Sequence, residues 1–505
     1  MNTFLRHAVV TSALTAVFLT GCRVGPKYQK PPAIAQAPPV TYKESPTQFP
    51  SSDGWKVAQP QDAMLHGKWW EIYNDSELNS LEDKLNIDNQ NIKRFFENFM
   101  EARTLVAQAR SQLYPTVGFG PSYQRSQPSA NVGSSTGAST SKSQTNLTSL
   151  PFDVSWEPDL WGRVRNQIRE QQYNAQVSAA DLENERLTEQ ASLAVFFFQV
   201  RGQDALQAVF NQTVADDQKA LDYAKAQYET GVGNELSVVE AENTLENAQA
   251  AATNIGVARA QFEHAIAVLI GTDPSSFSIP VRPLNAVPPP IPIGVPSQLL
   301  ERRPDIASSE RTMASANAAI GVADAAFFPT LTLGAQAGVQ SSTLTNLFNW
   351  SSRFWSVGPS VSETIYDGGL RRATVRQFTA IYNADVANYR QTVLTAFQQV
   401  EDSLGTVRIL SQQIQQQEQA VRSAQHFVDL ETALYQTGID PYINVITAQT
   451  TLLNDQQTLT TLHTQEMTAS VQLIVALGGG WDSTQLPTPA QVSQKLTPAE
   501  TGIQR

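Results

Sequence analysis

Apolar positions along the chain change period in a fixed order. From Thr116 to Gln124, Val117, Phe119 and Tyr123 alternate with Thr116, Gly118, Gly120 and Ser122, the two-residue period of a strand with one apolar face. The same alternation runs through Leu150, Phe152, Val154 and Trp156, through Leu331, Leu333, Ala335, Ala337 and Val339, and through Trp355, Val357 and Val361. Four strands of about ten residues are predicted, in two pairs joined by the Ser/Gly/Thr/Asn-rich stretches 126–148 and 340–352. Beyond each pair the period lengthens. Leu160–Thr230 and Leu370–Thr437 contain no proline, so each can run as one helix of about 100 Å. In the second, Val386, Tyr389, Val393, Ala396, Val400, Ser403, Val407, Leu410, Ile414, Gln417, Val421, Ala424 and Val428 keep a 3,4 spacing, which predicts coiled-coil packing with left-handed supercoiling. Shorter helices at Asn86–Leu113 with Ser237–Ile270, and at Asp305–Phe327 with Ile443–Leu477, can stack end to end against the long ones.

The order repeats. Ala226-Gln-Tyr-Glu-Thr-Gly-Val matches Ala433-Leu-Tyr-Gln-Thr-Gly-Ile, and Ile270-Gly271 matches Leu477-Gly478. Tyr114-Pro-Thr-Val pairs with Phe328-Pro-Thr-Leu, and Trp161-Gly162-Arg163 roughly with Asp367-Gly368-Gly369. The chain is a tandem duplication, so each special position is expected twice per subunit.

On pattern alone, the strands suit a half-buried soluble sheet as well as a membrane barrel. The long polar loops favour the barrel, as do aromatics at strand ends: Tyr114, Trp156, Trp161, Phe327, Phe328, Phe354 and Trp355. Four strands cannot close, and an open edge in lipid leaves backbone groups unsatisfied. The barrel must therefore be shared. Two subunits would give a side-chain-filled barrel, whereas three begin to leave a lumen.

The ends and composition narrow the setting. Arg6, the apolar run Ala8–Leu19 and Leu19-Thr20-Gly21-Cys22 read as a secretory signal cleaved before Cys22. Leu-Thr-Gly-Cys resembles a lipobox, with acylation at Cys22, the only cysteine; Arg23 in place of aspartate favours the outer membrane by the same resemblance. No later run of about 18 apolar residues offers a helical span. A net charge of −12 without a basic stripe argues against nucleic-acid binding. Residues 24–62 are proline-rich, an extended strap.

Taken with these features, Cys22-Arg-Val-Gly-Pro-Lys-Tyr-Gln-Lys-Pro, the segment Gly294-Val-Pro-Ser-Gln-Leu-Leu-Glu-Arg-Arg-Pro-Asp-Ile306 and the paired Tyr-x-x-Gly turns resemble the outer membrane efflux protein family in its lipid-anchored, NodT-like branch. The resemblance runs from Cys22 to about Trp481. It implies an α+β membrane protein: a homotrimer with a twelve-stranded outer-membrane β-barrel, a twelve-helix periplasmic α-barrel and an equatorial domain. It also implies a periplasmic membrane-fusion adaptor and an inner-membrane pump of the RND type as partners. The expected divisions are signal 1–21, strap 22–62, first repeat 63–280, between-repeat segment 281–303, second repeat 304–480 and tail 481–505.

The strands lie at one end of the long helices, so the turns Tyr228–Val238 and Tyr435–Val445 point away from the membrane. Gly231 and Gly438 can take φ > 0 at the helix stops, and Pro441 can begin the returning helix. By resemblance these tips, with Tyr228, Gly231, Gly438 and Pro441, bind adaptor hairpins. By the same resemblance Asp440 falls where related ducts place a constriction aspartate, three copies of which would form a charged ring in a trimer. Asn444 stands where TolC-like members carry a second aspartate; Glu235 and Tyr435 are further gate candidates. No catalytic or metal constellation appears among the five histidines. No enzyme activity and no cofactor beyond the lipid on Cys22 are expected. The function expected is passive conduction of drugs and amphiphiles; ducts for metal ions or a secreted polypeptide, and a lipoprotein that forms no pore, stay open as alternatives.

Overall fold

The computed structural model describes residues 23–33, 41–44, 67–127, 129, 144–291 and 299–494. The signal, Cys22, much of the strap, the centre of the first long loop and residues 292–298 lie outside the described residues.

Helix α1 (Ser76–Asp88) leads into α2 (Gln90–Ser111). The helix expected from Asn86 is thus two helices. Asn89 ends the first in an extended conformation, and its side chain accepts from the backbone N–H of Ile92 at 2.9 Å, the N-cap geometry that restarts a helix. Strands β1 (Thr116–Phe119), β2 (Ser122–Ser126) and β3 (Thr145–Trp156) follow. The first predicted strand is split because Gly120-Pro121 interrupts it, proline having no N–H for the ladder. Helices α3 (Arg163–Glu229) and α4 (Glu235–Leu269) complete the first repeat. The second repeat holds α5 (Pro304–Ala325), β4 (Thr330–Ser341), β5 (Arg353–Ser362), α6 (Leu370–Gln436) and α7 (Tyr442–Ala476).

The helices of the two repeats agree in length to the residue. α3 and α6 both span 67 residues and α4 and α7 both span 35. Gly162 and Gly369, not Gly368, occupy the same place before the long helices, both left-handed at φ +82° and +95°. The register read from Trp161-Gly162-Arg163 is one residue off.

β1 and β2 pair along β3, β3 pairs with β4 and β4 with β5, all antiparallel. The sheet therefore has four strand positions and two open edges. The long helices lie in one layer in which α3 separates the stacked pair α2/α4 from the stacked pair α5/α7, and α6 packs on the far side of α5/α7. Along α6 the expected seam is buried at Tyr389, Val393, Ala396, Val400, Val407, Ile414 and Ala424, with Leu404 buried in place of Ser403. Ser403 turns its hydroxyl back to the Gln399 carbonyl at 2.7 Å instead.

The stacking joints are alike in both repeats. Asn89 donates to the Leu269 carbonyl at 2.9 Å, and Arg303 donates to the Ala476 carbonyl at 3.1 Å. Each joint satisfies a carbonyl that its helix end leaves free. The core gathers at this level around Trp69, Leu78, Phe197, Leu193, Ile306, Met313, Leu404 and Met467.

Candidate functional site

The cross-strand register sorts side chains into rows. Val117, Val154, Ala335 and Val357 form one row across the sheet, and Phe119, Phe152, Ala337 and Trp355 another. On the opposite face, Thr116, Ser155, Gly334 and Gly358 align, as do Gly118, Asp153, Gln336 and Ser356. Gln336 donates to Asp153 at 2.7 Å on that polar face. The apolar face is not covered: Val117, Trp355 and Val357 are 70%, 77% and 71% exposed. A soluble half-buried sheet would pack this face on a core. An apolar face left bare, backed by small and polar residues, is the pattern that a membrane-barrel wall requires.

Aromatics mark both borders of this wall. Toward the long helices, Trp161 stacks on Phe328 with centroids 4.8 Å apart and donates to the Pro329 carbonyl at 2.8 Å, while Trp156 donates to the Leu113 carbonyl at 3.0 Å. Toward the loops, Arg353 lies 3.7 Å over the exposed Trp350.

At the other end of the helices, Gly231 and Gly438 are left-handed at φ +76° and +75°, each closing its long helix. Pro441 is the cap before α7 and is not its first residue. In the first repeat the same place is taken by Asn234, whose side chain accepts from the Ser237 backbone at 2.9 Å. The other candidates separate into two groups. Tyr435 is built in: its hydroxyl donates to Gln227 at 2.8 Å, and its ring meets Tyr223 and Tyr442 at 5.9 and 5.1 Å. This bond ties the second tip to the first. Tyr228, its counterpart in the first repeat, is 49% exposed. Glu235 is exposed in the first turn of α4, and Asp440 and Asn444 are half-buried around the start of α7. Among the described residues, Asp440 and Glu235 form no ion pair.

One tip residue escaped the sequence reading. Asp217 is 3% exposed and borders two grooves of about 550 and 530 Å³, one between α3 and the α6/α7 pair and one between α3, α4 and α7, sharing Thr213, Gln449 and Leu453. Burial, with the Asp216 charge beside it, pushes its carboxyl up to about 6. Asp216 goes the other way, because hydrogen bonds from Gln212 and Lys219 outweigh its own burial. The repeat held the missed signal. Asp217 corresponds to Ala424, a buried seam residue of α6, so an acid replaces alanine where the fold asks only for close packing.

Asp217 has a stability consequence with a definite sign. An acid held above its unfolded value contributes most below about pH 4 and loses that contribution as pH rises through about 6. Asp217→Asn is therefore expected to stabilise the protein by about 1–2 kcal/mol near neutral pH, the full shift being reduced by water in the grooves. The gain should vanish below about pH 4. Thermal unfolding of both proteins across this range checks it, and parallel pH profiles would remove Asp217 as the titrating group.

The strap runs down from the strand–helix junction. Val24 donates to the Trp161 carbonyl at 3.1 Å, and Asn166 donates to the Val24 carbonyl at 3.1 Å. Further along, Glu401 accepts from the backbones of Lys43 and Glu44 at 2.8 and 3.0 Å, and Arg408 holds Glu44 at 2.7 Å.

The sequence matches the outer membrane efflux protein family over residues 86–272 and 295–479. The toluene efflux pump outer membrane protein TtgC of Pseudomonas putida is 30% identical over 481 residues, covering 94% of this chain and 96% of that protein. The cation efflux system protein CusC of Escherichia coli is 29% identical over 484 residues, with 92% and 97% covered. Among solved structures, the outer-membrane channel OprN matches with a TM-score of 0.82 at 24% identity, over 91% of this chain and 100% of that one. The open state of the Neisseria gonorrhoeae MtrE outer membrane channel matches at 0.78 and 22%, over 92% and 99%.

Proposed function

The chain belongs to the outer membrane efflux protein family, and from that premise we propose that three copies close a twelve-stranded barrel and a twelve-helix periplasmic duct that conducts small organic molecules out of the cell. It is the outer-membrane channel component of an efflux system. The observation that carries the closed assembly is the pair of open edges. The sheet ends at β1/β2 and at β5 with unpaired backbone. Below it, the helical layer ends in exposed apolar residues on both sides: Leu394 and Ile409 on α6, Phe96 and Val257 on α2 and α4. One wall cannot stand alone in lipid. Three copies, each joining β5 and α6 to the next copy's β1 and α2/α4, satisfy both kinds of edge together.

In this reading the substrate arrives from a periplasmic adaptor and an inner-membrane RND pump docked at the tips around Tyr228, Gly231, Gly438 and Pro441, and the duct supplies no energy. An acylated Cys22 anchors the strap; its neighbour Arg23 packs against Gly162, beside the Trp161 border. Asp440, repeated three times around the axis, narrows the closed tip by charge, with Asn444 and Glu235 at its margin and the Tyr435–Gln227 bond as the latch. Opening follows from tighter binding of the adaptor to the open tip.

Planar-bilayer recording of the purified protein tests the pore itself. Discrete conductance steps are expected, and Asp440→Ala should raise the resting conductance severalfold; steps of unchanged size would remove Asp440 from the constriction. A protein that gives no steps at all would be a lipoprotein without a pore. In cells, deletion should sensitise to toluene, dyes and antibiotics, with rescue by complementation. Sensitisation confined to metal salts would move the cargo to cations, the substrate named for CusC.

A further inference from the structure

Just inside the membrane border, the strap, α3 and α5 enclose a cavity of about 530 Å³ lined by Arg23, Lys27, Arg169, Asn166, Asn317 and Tyr28, among others. Three cations face it, and among the described residues none of their side chains has a hydrogen bond or ion pair. Their neighbours differ. Arg163 pairs with Glu157, Arg165 with Asp159, Arg311 with Glu310 and Arg371 with Asp367. Asn317 is 7% exposed, and its amide also lacks a hydrogen-bond partner among the described residues. A buried amide in that state calls for a ligand or ordered water.

The depth of the cavity is set by the helices. Arg169 lies six residues into α3, about 9 Å below its start, and Asn317 lies eight residues before the end of α5, which places it at a similar level. Trp161 and Phe328 stand directly above. This is the headgroup layer of the periplasmic leaflet, which adds roughly 5–8 Å beyond the hydrocarbon core. The cavity sits in the middle of the protomer's helical layer, between α3 and α5, so neither open edge of the layer covers it.

We propose that this cavity holds the phosphate of an anionic phospholipid headgroup, with Arg23, Lys27 and Arg169 supplying charge and the Asn317 amide donating a hydrogen bond. The assignment to lipid rests on the reading of Cys22 as the acylated anchor, which puts the strap on the outer, lipid-facing side. The site then fixes the height of the channel in the membrane at a second point beside the anchor.

Native mass spectrometry of the full-length protein in detergent tests this with three probes: phosphatidylglycerol, phosphatidylcholine and inorganic phosphate. Phosphatidylglycerol should be retained in preference to phosphatidylcholine, and Lys27→Gln with Arg169→Gln should weaken it about 25-fold, at about fivefold per charge. Equal retention of the two lipids, or an unchanged double variant, overturns the proposal. Retention of inorganic phosphate that displaces the lipid overturns the lipid assignment. If the double variant does not assemble, the exposed Lys27→Gln alone should still give the fivefold loss, and no loss there overturns the proposal. The mass of the mature N-terminus in the same spectra reads the acyl groups on Cys22 separately. An unacylated Cys22 would sink the anchor reading while the lipid preference still decides the cavity.

Discussion

Replacing Gly478 by alanine abolishes assembly of the channel in the outer membrane, whereas the same change at Gly438 leaves it intact. Both glycines are left-handed, at φ +100° and +75°, and for either one alanine costs about 1–2 kcal/mol in backbone conformation. The difference lies in the surroundings. A Cβ on Gly478 would sit 2.1 Å from the Arg302 carbonyl oxygen, while one on Gly438 meets nothing within 4 Å. Arg302 precedes the stacking joint where Arg303 reaches the Ala476 carbonyl, so the new methyl meets backbone rather than a side chain that could turn aside, and α5 must shift off α7. Overpacking of this kind adds about 1–3 kcal/mol or more, a large share of a folded domain's net stability. A Cβ on Gly271, its repeat counterpart, would sit 2.7 Å from the Asp88 carbonyl oxygen, and alanine there should show a weaker form of the same defect. The yield of heat-resistant oligomer from membranes checks the set. Equal yields from Gly478→Ala and Gly438→Ala would mean that the joint yields without cost.

These glycines also show what the sequence could tell. Ile270-Gly271 and Leu477-Gly478 stood out as a repeated pair, because the duplication preserves any residue whose backbone geometry no other side chain tolerates. The strands were legible as strands for the same kind of reason, an apolar face repeating every two residues, but that nothing covers this face only the structure shows. What escaped depends on contacts distant in sequence. Leu404 displaces Ser403 from the seam through the local twist of packing, which the 3,4 spacing averages over. The break at Asn89 needed its cap to Ile92, invisible in a run that is otherwise helical. At the tip, Tyr435 could be named but its partner Gln227 could not, since the two lie 208 residues apart. Asp217 was readable only by aligning the repeats and asking why an acid replaces Ala424.

Asp204→Ala is expected to be nearly as damaging as Gly478→Ala, through charge instead of shape. The Asp204 carboxylate, 1% exposed, lies 3.3 Å from Arg201 and 2.6 Å from Arg259, and it also accepts from the Arg282 backbone at 2.9 Å. Those two arginines in turn hold the chain where it leaves the first repeat for the between-repeat segment, through the Pro280 carbonyl at 2.6 Å and the Ile279 carbonyl at 2.8 Å. Arg201 occupies the place in α3 that Arg408 occupies in α6, and Arg408 pins the strap at Glu44. Each long helix thus uses one arginine to fasten an extended segment across the helical layer. Only the first has its side chain fully buried, at 2% exposure against 19% for Arg408, so losing an acid costs more there. Removing that acid leaves Arg201 paired with Glu77 alone and Arg259 with Glu263 alone, and it orphans the Arg282 N–H, so the loss falls at the low end of the about 3–5 kcal/mol that removing one partner of a buried ion pair costs. Asp204→Asn keeps an acceptor for the Arg282 N–H and should lose less, roughly 1.5–3 kcal/mol. Chemical denaturation of the purified protein reads the stability order, and hydrogen exchange at residues 279–284 reads the fastening. If exchange there is unchanged in Asp204→Ala while stability falls, the network serves the helix pair alone and the segment is held by other contacts.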